Sequence, residues 1–279
     1  MDLKELIVTK AGGDKDVFSI EKLQTSMRNA GAEEEVIANV IEEITPRLYP
    51  GISTKKIYRL AFNLLKQRSK YVAAKYQLKK AIMELGPDGF VFEQFVSRLF
   101  KVEGYTVKTG LILQGRCITH EIDVMATTEE EVILGECKYH SQPGKVSDVK
   151  VPLYIRSRFV DLSEHWKKED KRKLSSWIIT NTRFSPDALK YGKCIGQHLL
   201  GWDYPKENGI KERIDRYKLY PITCLTSLTR TEKEDLLHQG IIFCEDLYVK
   251  PEKLSHLSLS LHREKNITDE LENFHVGNC

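Results

Sequence analysis

Two strand-forming runs, Glu121-Ile122-Asp123-Val124-Met125-Ala126 and Val132-Ile133-Leu134-Gly135-Glu136-Cys137-Lys138, flank the polar stretch Thr127-Thr128-Glu129-Glu130-Glu131. A polar link of that length joins antiparallel strands, so the runs predict a hairpin. Folding it about its middle sets Asp123 opposite Glu136. Strand side chains alternate faces with a period of two, which turns Glu136 and Lys138 to one side and Cys137 to the other. Two carboxylates and an ammonium then meet on one patch. Neighbouring carboxylates repel each other and lose hydration, and a divalent cation with oxygen ligands offsets both effects. The constellation suits metal-dependent hydrolysis of a phosphodiester. The same residues also fit a cross-strand salt bridge between Lys138 and Asp123 on a solvated sheet face, and the hairpin alone leaves that alternative open.

A chain of 279 residues, 41% of them hydrophobic, is long enough for two domains and a tail. The net charge of +3 is slight, so contact with nucleic acid has to come from local basic patches. The cysteines, at Cys117, Cys137, Cys194, Cys224, Cys244 and Cys279, form no CxxC pair and have no clustered histidine partners. That argues against a zinc site or disulfide framework and for a reducing cytoplasm. No apolar stretch approaches the length of a membrane span, and Met1-Asp2-Leu3-Lys4-Glu5 has no signal-peptide core. The expectation is a cytoplasmic protein without a membrane partner.

Gly86-Pro87-Asp88-Gly89 is a helix-stopping, turn-making cluster that marks the first boundary. Before it, Leu6-Ile7-Val8 and Val17-Phe18 read as short strands about a turn at Gly12-Gly13-Asp14. Ser19 can cap a helix from Ile20 to Ala30. Val36, Val40, Ile41, Ile44 and Leu48 have helical spacing, Ser53 or Thr54 opens a third helix, and Tyr71 to Leu85 forms a fourth. Past Gly89, Phe92, Phe95, Val96 and Leu99 share one face of a helix over 90–100, with Glu93 at its margin. Then come a strand at Gly104-Tyr105-Thr106-Val107, the hairpin, a helix over 146–160 interrupted near Pro152, and a Lys- and Glu-rich insertion over 161–173. A buried strand at Trp177-Ile178-Ile179-Thr180, a helix over 186–197 and a strand over 198–202 follow. The order αβββαβαβ describes a mixed sheet flanked by helices, an α/β (α+β) class of fold. From about Leu225 a small helical appendage is expected, with a loosely held polar end. The expected domains are 1–85, 86–224 and 225–279.

The central segment, roughly 87 to 224, resembles the Mrr-like branch of the PD-(D/E)xK restriction-endonuclease superfamily. The matching features are Gly89-Phe90-Val91-Phe92-Glu93, Gly104-Tyr105-Thr106-Val107, Glu121-Ile122-Asp123-Val124, Glu136-Cys137-Lys138 and Thr180-Asn181-Thr182-Arg183-Phe184. Many Mrr-like members carry Gln where this chain has Glu136, so its site has the full acidic form. The resemblance implies that Asp123, Glu136 and the carbonyl of Cys137 bind Mg²⁺ or Mn²⁺. It also implies that Lys138 orients or deprotonates the attacking water and that Glu93 joins the metal shell directly or through water. Read from the residues alone, Glu93 also fits a helix-surface charge, the Cys137 side chain reads better as core than as nucleophile, and His140 could touch a phosphate, although a lone surface histidine is more often incidental. Arg183, Lys145 and Lys150 flank the site as candidate contacts to DNA phosphates.

Residues 3 to about 84 resemble an ATP-cone, an adenine-nucleotide regulatory domain. The residues that carry the likeness are Val8-Thr9-Lys10-Ala11-Gly12-Gly13, Val17-Phe18-Ser19-Ile20-Glu21-Lys22-Leu23, Ile52-Ser53-Thr54-Lys55-Lys56-Ile57 and Ala73-Ala74-Lys75-Tyr76. Family members usually read Lys-Arg-Asp-Gly where this chain has Lys10-Ala11-Gly12-Gly13, so one expected Arg contact is missing. The resemblance implies that Lys10, Gly12, Lys22 and Thr54 hold ATP or dATP.

Taken together, these readings point to a metal-dependent DNA endonuclease governed by ATP or dATP, in a setting such as defence against foreign DNA. One site cuts one strand, so cutting a duplex calls for a homodimer or higher oligomer. The alternative is a nucleotide-responsive nucleic-acid-binding regulator whose nuclease fold no longer cuts.

Overall fold

A computed structural model describes residues 5–10 and 13–276. The chain divides into two compact units. The first joins the N-terminal segment through Ala81 to residues 220–235 and the segment from Phe243, and the second holds residues 82–219 and 236–242. This differs from the three successive domains expected over 1–85, 86–224 and 225–279. The C-terminal segment is part of the unit that the N-terminal helices build.

In the first unit, β1 (Ile7–Thr9) pairs antiparallel with β2 (Lys15–Val17). Ser19 caps α1 (Ile20–Asn29) by accepting the Lys22 N–H, as its position predicts. α2 (Glu34–Ile44) buries Val40 and Ile44 of the expected apolar stripe. Ser53 caps α3 (Thr54–Arg68) through the Lys56 N–H. The single fourth helix expected over 71–85 is two, α4 (Lys70–Tyr76) and α5 (Leu78–Met83). The break falls at Gln77, whose side chain donates to the carbonyl of Cys224 at 2.8 Å. Met27, Ile37, Ile52, Ala61 and Leu65 fill the core between these elements.

The second unit opens with α6 (Phe90–Val102), which buries Phe92, Phe95, Val96 and Leu99 as the spacing predicts. The strands are β3 (Thr106–Gln114), β4 (Thr119–Thr127), β5 (Glu131–Lys138) and β6 (Val146–Ser147). α7 (Lys150–Glu169) leads to β7 (Lys173–Thr180), β8 (Arg183–Phe184), α8 (Pro186–Cys194), β9 (His198–Leu200) and α9 (Ile210–Tyr217). The main sheet has the order β3-β4-β5-β7-β9, with β5 at its centre. β4 runs antiparallel to β3 and β5, while β7 is parallel to β5 and β9. The mixed central sheet flanked by helices is the expected architecture. Two local expectations change. The strand expected at 104–107 extends to Gln114. α7 passes through Pro152 without a break and takes in most of the charged insertion. Pro152 lies in the first turn, where a missing N–H leaves no helical bond unmade.

The first unit is completed by helices after residue 219. α10 (Arg230–His238), within the expected appendage, starts in the first unit and ends at residues 236–238 of the second, and α11 (Cys244–Val249) follows in the first. The polar end expected to be loosely held is instead α12 (Leu261–Val276). Ile267, Leu271 and Phe274 recur at helical spacing on its buried side. Glu270, 1% exposed, accepts the N–H groups of Thr226 and Ser227 at 2.7 and 2.8 Å. A buried carboxylate with two backbone donors ties the returning chain down. Among the described residues, no helix is long and apolar enough to cross a membrane.

Candidate functional site

β4 and β5 pair with Val124 opposite Gly135. The ladder ends at that pair, and Asp123 and Glu136 are the next residues on the two strands. Glu136 is buried on the central strand and both of its oxygens are engaged. Lys138 Nζ donates to Oε1 at 2.6 Å, and Arg158 Nη1, on α7, donates to Oε2 at 2.7 Å. Arg158 also donates to the carbonyl of Glu121. Lys138 therefore pairs along its own strand, and the cross-strand bridge to Asp123 is not what forms. Asp123 Oδ2 instead accepts the backbone N–H of Cys137 at 2.7 Å.

Burial and then the charge of Glu136 hold the carboxyl of Asp123 above the usual carboxylate range. Glu93 on α6 is pushed up to about 7, first by burial and then by Asp123, Glu121, Asp88 and Glu136. It is electrostatically part of the same cluster, which a remote helix-surface charge would not be. Burial raises the Cys137 thiol far above its ordinary value, so the side chain is core and not a nucleophile.

Near the ends of β5 and β7, the hydroxyl of Thr180 donates to the Lys138 carbonyl at 2.7 Å. Asn181 and His140 exchange backbone-to-amide bonds at 2.9 and 2.8 Å. The His140 ring nitrogen lies 3.2 Å from the Ser147 hydroxyl, so the ring is held in place. Val146 pairs with Arg183 in a small parallel ribbon, and Lys145 immediately precedes it. Lys145 and Arg183 are both exposed, as is Lys150.

Carboxylate oxygens are the hard donors that Mg²⁺ and Mn²⁺ take. Among the described residues, however, no three His, Cys, Asp or Glu side chains stand together in ligating geometry. Glu136 faces two cations instead. The residue that sequence reasoning missed is Arg158. Its only signal was a cation on the helix after the Glu-x-Lys strand, and helical spacing alone does not say that it reaches Glu136.

In the first unit, Lys10, Lys22 and Thr54 line one cleft with Asp16, Ser19, Tyr58 and Tyr76. Gly12 lies outside the described residues. The cleft takes in the first turns of α1 and α3, whose N-termini carry partial positive charge. Lys10 Nζ pairs with Asp16 at 2.7 Å in an exposed contact. The rings of Tyr58 and Tyr76 stack at 4.6 Å with 13° between their planes.

Residues 220–274 match the family model described as AF1548-like, C-terminal. An uncharacterized protein of Archaeoglobus fulgidus is 36% identical over 179 residues, which is 63% of this chain and 97% of that protein. The crystal structure of the protein of unknown function AF1548 is 33% identical and superposes with a TM-score of 0.55, covering 68% of this chain and all of that one. The MspJI restriction endonuclease, solved in complex with a 27-mer oligonucleotide, is 14% identical and covers 70% of this chain and 41% of its own, with a TM-score of 0.31. A likeness that slight carries no weight for the site.

Proposed function

This chain belongs to the AF1548-like family, and from the chemistry of its β4–β5 site we propose that it is a divalent-metal-dependent DNA endonuclease regulated by adenine nucleotide. The observation that carries the reading is the meeting of Asp123, Glu136 and Lys138 on two paired strands. The raised carboxyl of Glu93 beside them supports it. In this reading Asp123, Glu136 and the Cys137 carbonyl hold Mg²⁺ or Mn²⁺, with Glu93 completing the shell. Bound there, the cation supplies positive charge that polarises the phosphodiester. The ammonium of Lys138 orients the attacking water and steadies the charge that gathers on the phosphoryl oxygens. Lys145, Lys150 and Arg183 contact phosphates along the DNA.

The cleft of the first unit is assigned to ATP or dATP. Lys10 and Lys22 face the phosphates, and Thr54 stands at the N-terminus of α3. Nucleotide shifts activity or assembly by binding one state better than another. The working unit is a homodimer or higher oligomer, since two sites are needed to cut both strands. Defence against foreign DNA in the cytoplasm is the setting this combination suits.

A second reading, a nucleotide-responsive DNA-binding regulator that does not cut, is favoured by one observation. Glu136 is held by Arg158 and Lys138, and no three ligating side chains converge. Incubating the protein with plasmid DNA and Mg²⁺ or Mn²⁺, with and without ATP and dATP, separates the two. Cleavage that stops in EDTA supports the nuclease. DNA binding without cleavage under every condition supports the regulator.

A further inference from the structure

Gln197, 7% exposed, sits between α8 and β9. One arm of its amide donates to the Ser176 hydroxyl at 3.0 Å, and the other, Oε1, has no partner among the described residues. A buried amide left half-bonded costs stability unless something else completes it. Gln197 and Ser176 line a cleft whose walls include Arg156 and Lys173. A second cleft adjoins it and shares Arg156, Phe159, Lys173 and Leu174. Trp166 borders that second cleft, and its ring N–H is also enclosed and without a partner among the described residues. We propose that the joined clefts bind a small phosphate monoester that carries a hydroxyl group. The proposal is independent of the nuclease reading.

β5 and β7 run parallel, with Lys173 level with Glu131 and Thr180 level with Lys138. The clefts therefore lie toward the start of β7, whereas Lys138 stands level with its end. Among the described residues neither Arg156 nor Lys173 forms an ion pair. Asp170, a carboxylate on the wall of the second cleft, is taken up by Arg172 at 2.6 Å. The guanidinium carbon of Arg156 lies 5.9 Å from the centre of the Phe159 ring, which steadies it on the shared wall. Burial and then the charge of Lys173 hold the His198 ring, which borders the first cleft, below its usual range, as a positively charged wall requires. Two cations suit a dianion, and the planar fork of Arg156 matches the oxygens of a phosphate. The Ser176 hydroxyl accepts from Gln197 and keeps its own proton to donate to the same group. The Gln197 oxygen needs the opposite partner, a donor, and a hydroxyl on the ligand supplies it.

Calorimetry on the full chain tests this with α-glycerophosphate and with methyl phosphate, which has the same charge and no hydroxyl. The wild type is expected to bind both at millimolar concentration or below, and α-glycerophosphate more tightly by about fivefold, the scale of one neutral hydrogen bond. Arg156→Gln and Lys173→Gln are each expected to weaken both ligands by about tenfold, the scale of one charge-assisted bond to phosphate. Gln197→Leu is expected to erase the preference between the two ligands while methyl phosphate binding stays near wild type. Circular dichroism checks that each variant is folded. Lys173 is exposed, so its variant carries the test even where Arg156→Gln or Gln197→Leu fails to fold. No binding of either ligand to the wild type at about 10 mM overturns the site. So does unchanged binding in Lys173→Gln, and so does binding that is lost in Lys22→Ala but kept in Lys173→Gln, which puts the phosphate in the first unit's cleft. Equal affinity of the wild type for the two ligands overturns the part assigned to Gln197.

Discussion

In the second unit Glu136 is buried and has both oxygens satisfied, with Asp123 and Lys138 half-buried beside it, whereas the lysines of the first unit's cleft stand exposed to water. Glu136 has a cation on each oxygen and Asp123 has a backbone donor. Lys10 pairs with Asp16 in an exposed contact, with its own side chain 53% exposed. The difference follows from position. A carboxylate on the central strand of a five-stranded sheet is costly to leave unpaired, because little water reaches it to offset the loss of hydration. Residues beside a small hairpin and at the first turn of a helix can wait for their ligand in solvent at little cost.

The largest expected effects lie at the buried site. Asp123→Ala and Lys138→Ala should each lower Mg²⁺-dependent cleavage by at least about a hundredfold while the protein stays folded. Plasmid nicking followed on gels, with circular dichroism alongside, checks this. An Asp123→Ala protein that cuts at the wild-type rate breaks the contrast at its stronger end.

A smaller loss is expected in the open cleft. Lys22→Ala should weaken ATP or dATP binding by about tenfold, the scale of one charge-assisted hydrogen bond to phosphate. Calorimetry on the full chain measures it. No binding of adenine nucleotide to the wild type at millimolar concentration would reduce the cleft to a structural feature, with Ala11 in place of the usual Arg as the first suspect.

Glu93 gives the contrast a pH dependence. Its carboxyl ordinarily titrates near 4.5 and sits at about 7 in the fold, through burial first and its carboxylate neighbours second. The folded state keeps the proton longer than the unfolded one. Its contribution to stability is therefore full below about 4.5 and is lost as pH rises through about 7. Metal needs the ionised form, so Mg²⁺ affinity should rise through the same window. Thermal unfolding between pH 4.5 and 8, with and without Mg²⁺, compares wild type with Glu93→Gln. The variant should lack this component of the slope, and an identical pH profile would remove Glu93 from the cluster.

The smallest effect concerns Asp16, whose carboxyl is lowered by its bond to Lys10. Asp16→Asn should leave thermal stability unchanged, because the pair is exposed. Freeing Lys10 should tighten nucleotide binding by about twofold, read in the same calorimeter. A marked loss of stability would show that the cleft is not as loosely held as its exposure implies.

Much of the second unit could be read from local pattern. Alternation along β4 and β5 set the register, which leaves Asp123 and Glu136 as neighbours just past its last pair, Val124 and Gly135. The apolar face of α6 and the Ser19 and Ser53 caps followed from spacing and side-chain chemistry in the same way. These are short-range matters, decided within one strand pair or one helical turn, so neighbouring residues carry all the information needed. Where Arg158 reaches, how Gln77 divides a helix, and that α12 is built into the first unit depended on partners far along the chain. The carbonyl that Gln77 meets belongs to Cys224, and the backbone groups that Glu270 satisfies belong to Thr226 and Ser227. A periodic sequence shows which residues share a face, but not what will cover it. Only closing the fold puts a guanidinium against a buried carboxylate, because the need to neutralise that charge arises when water has been excluded.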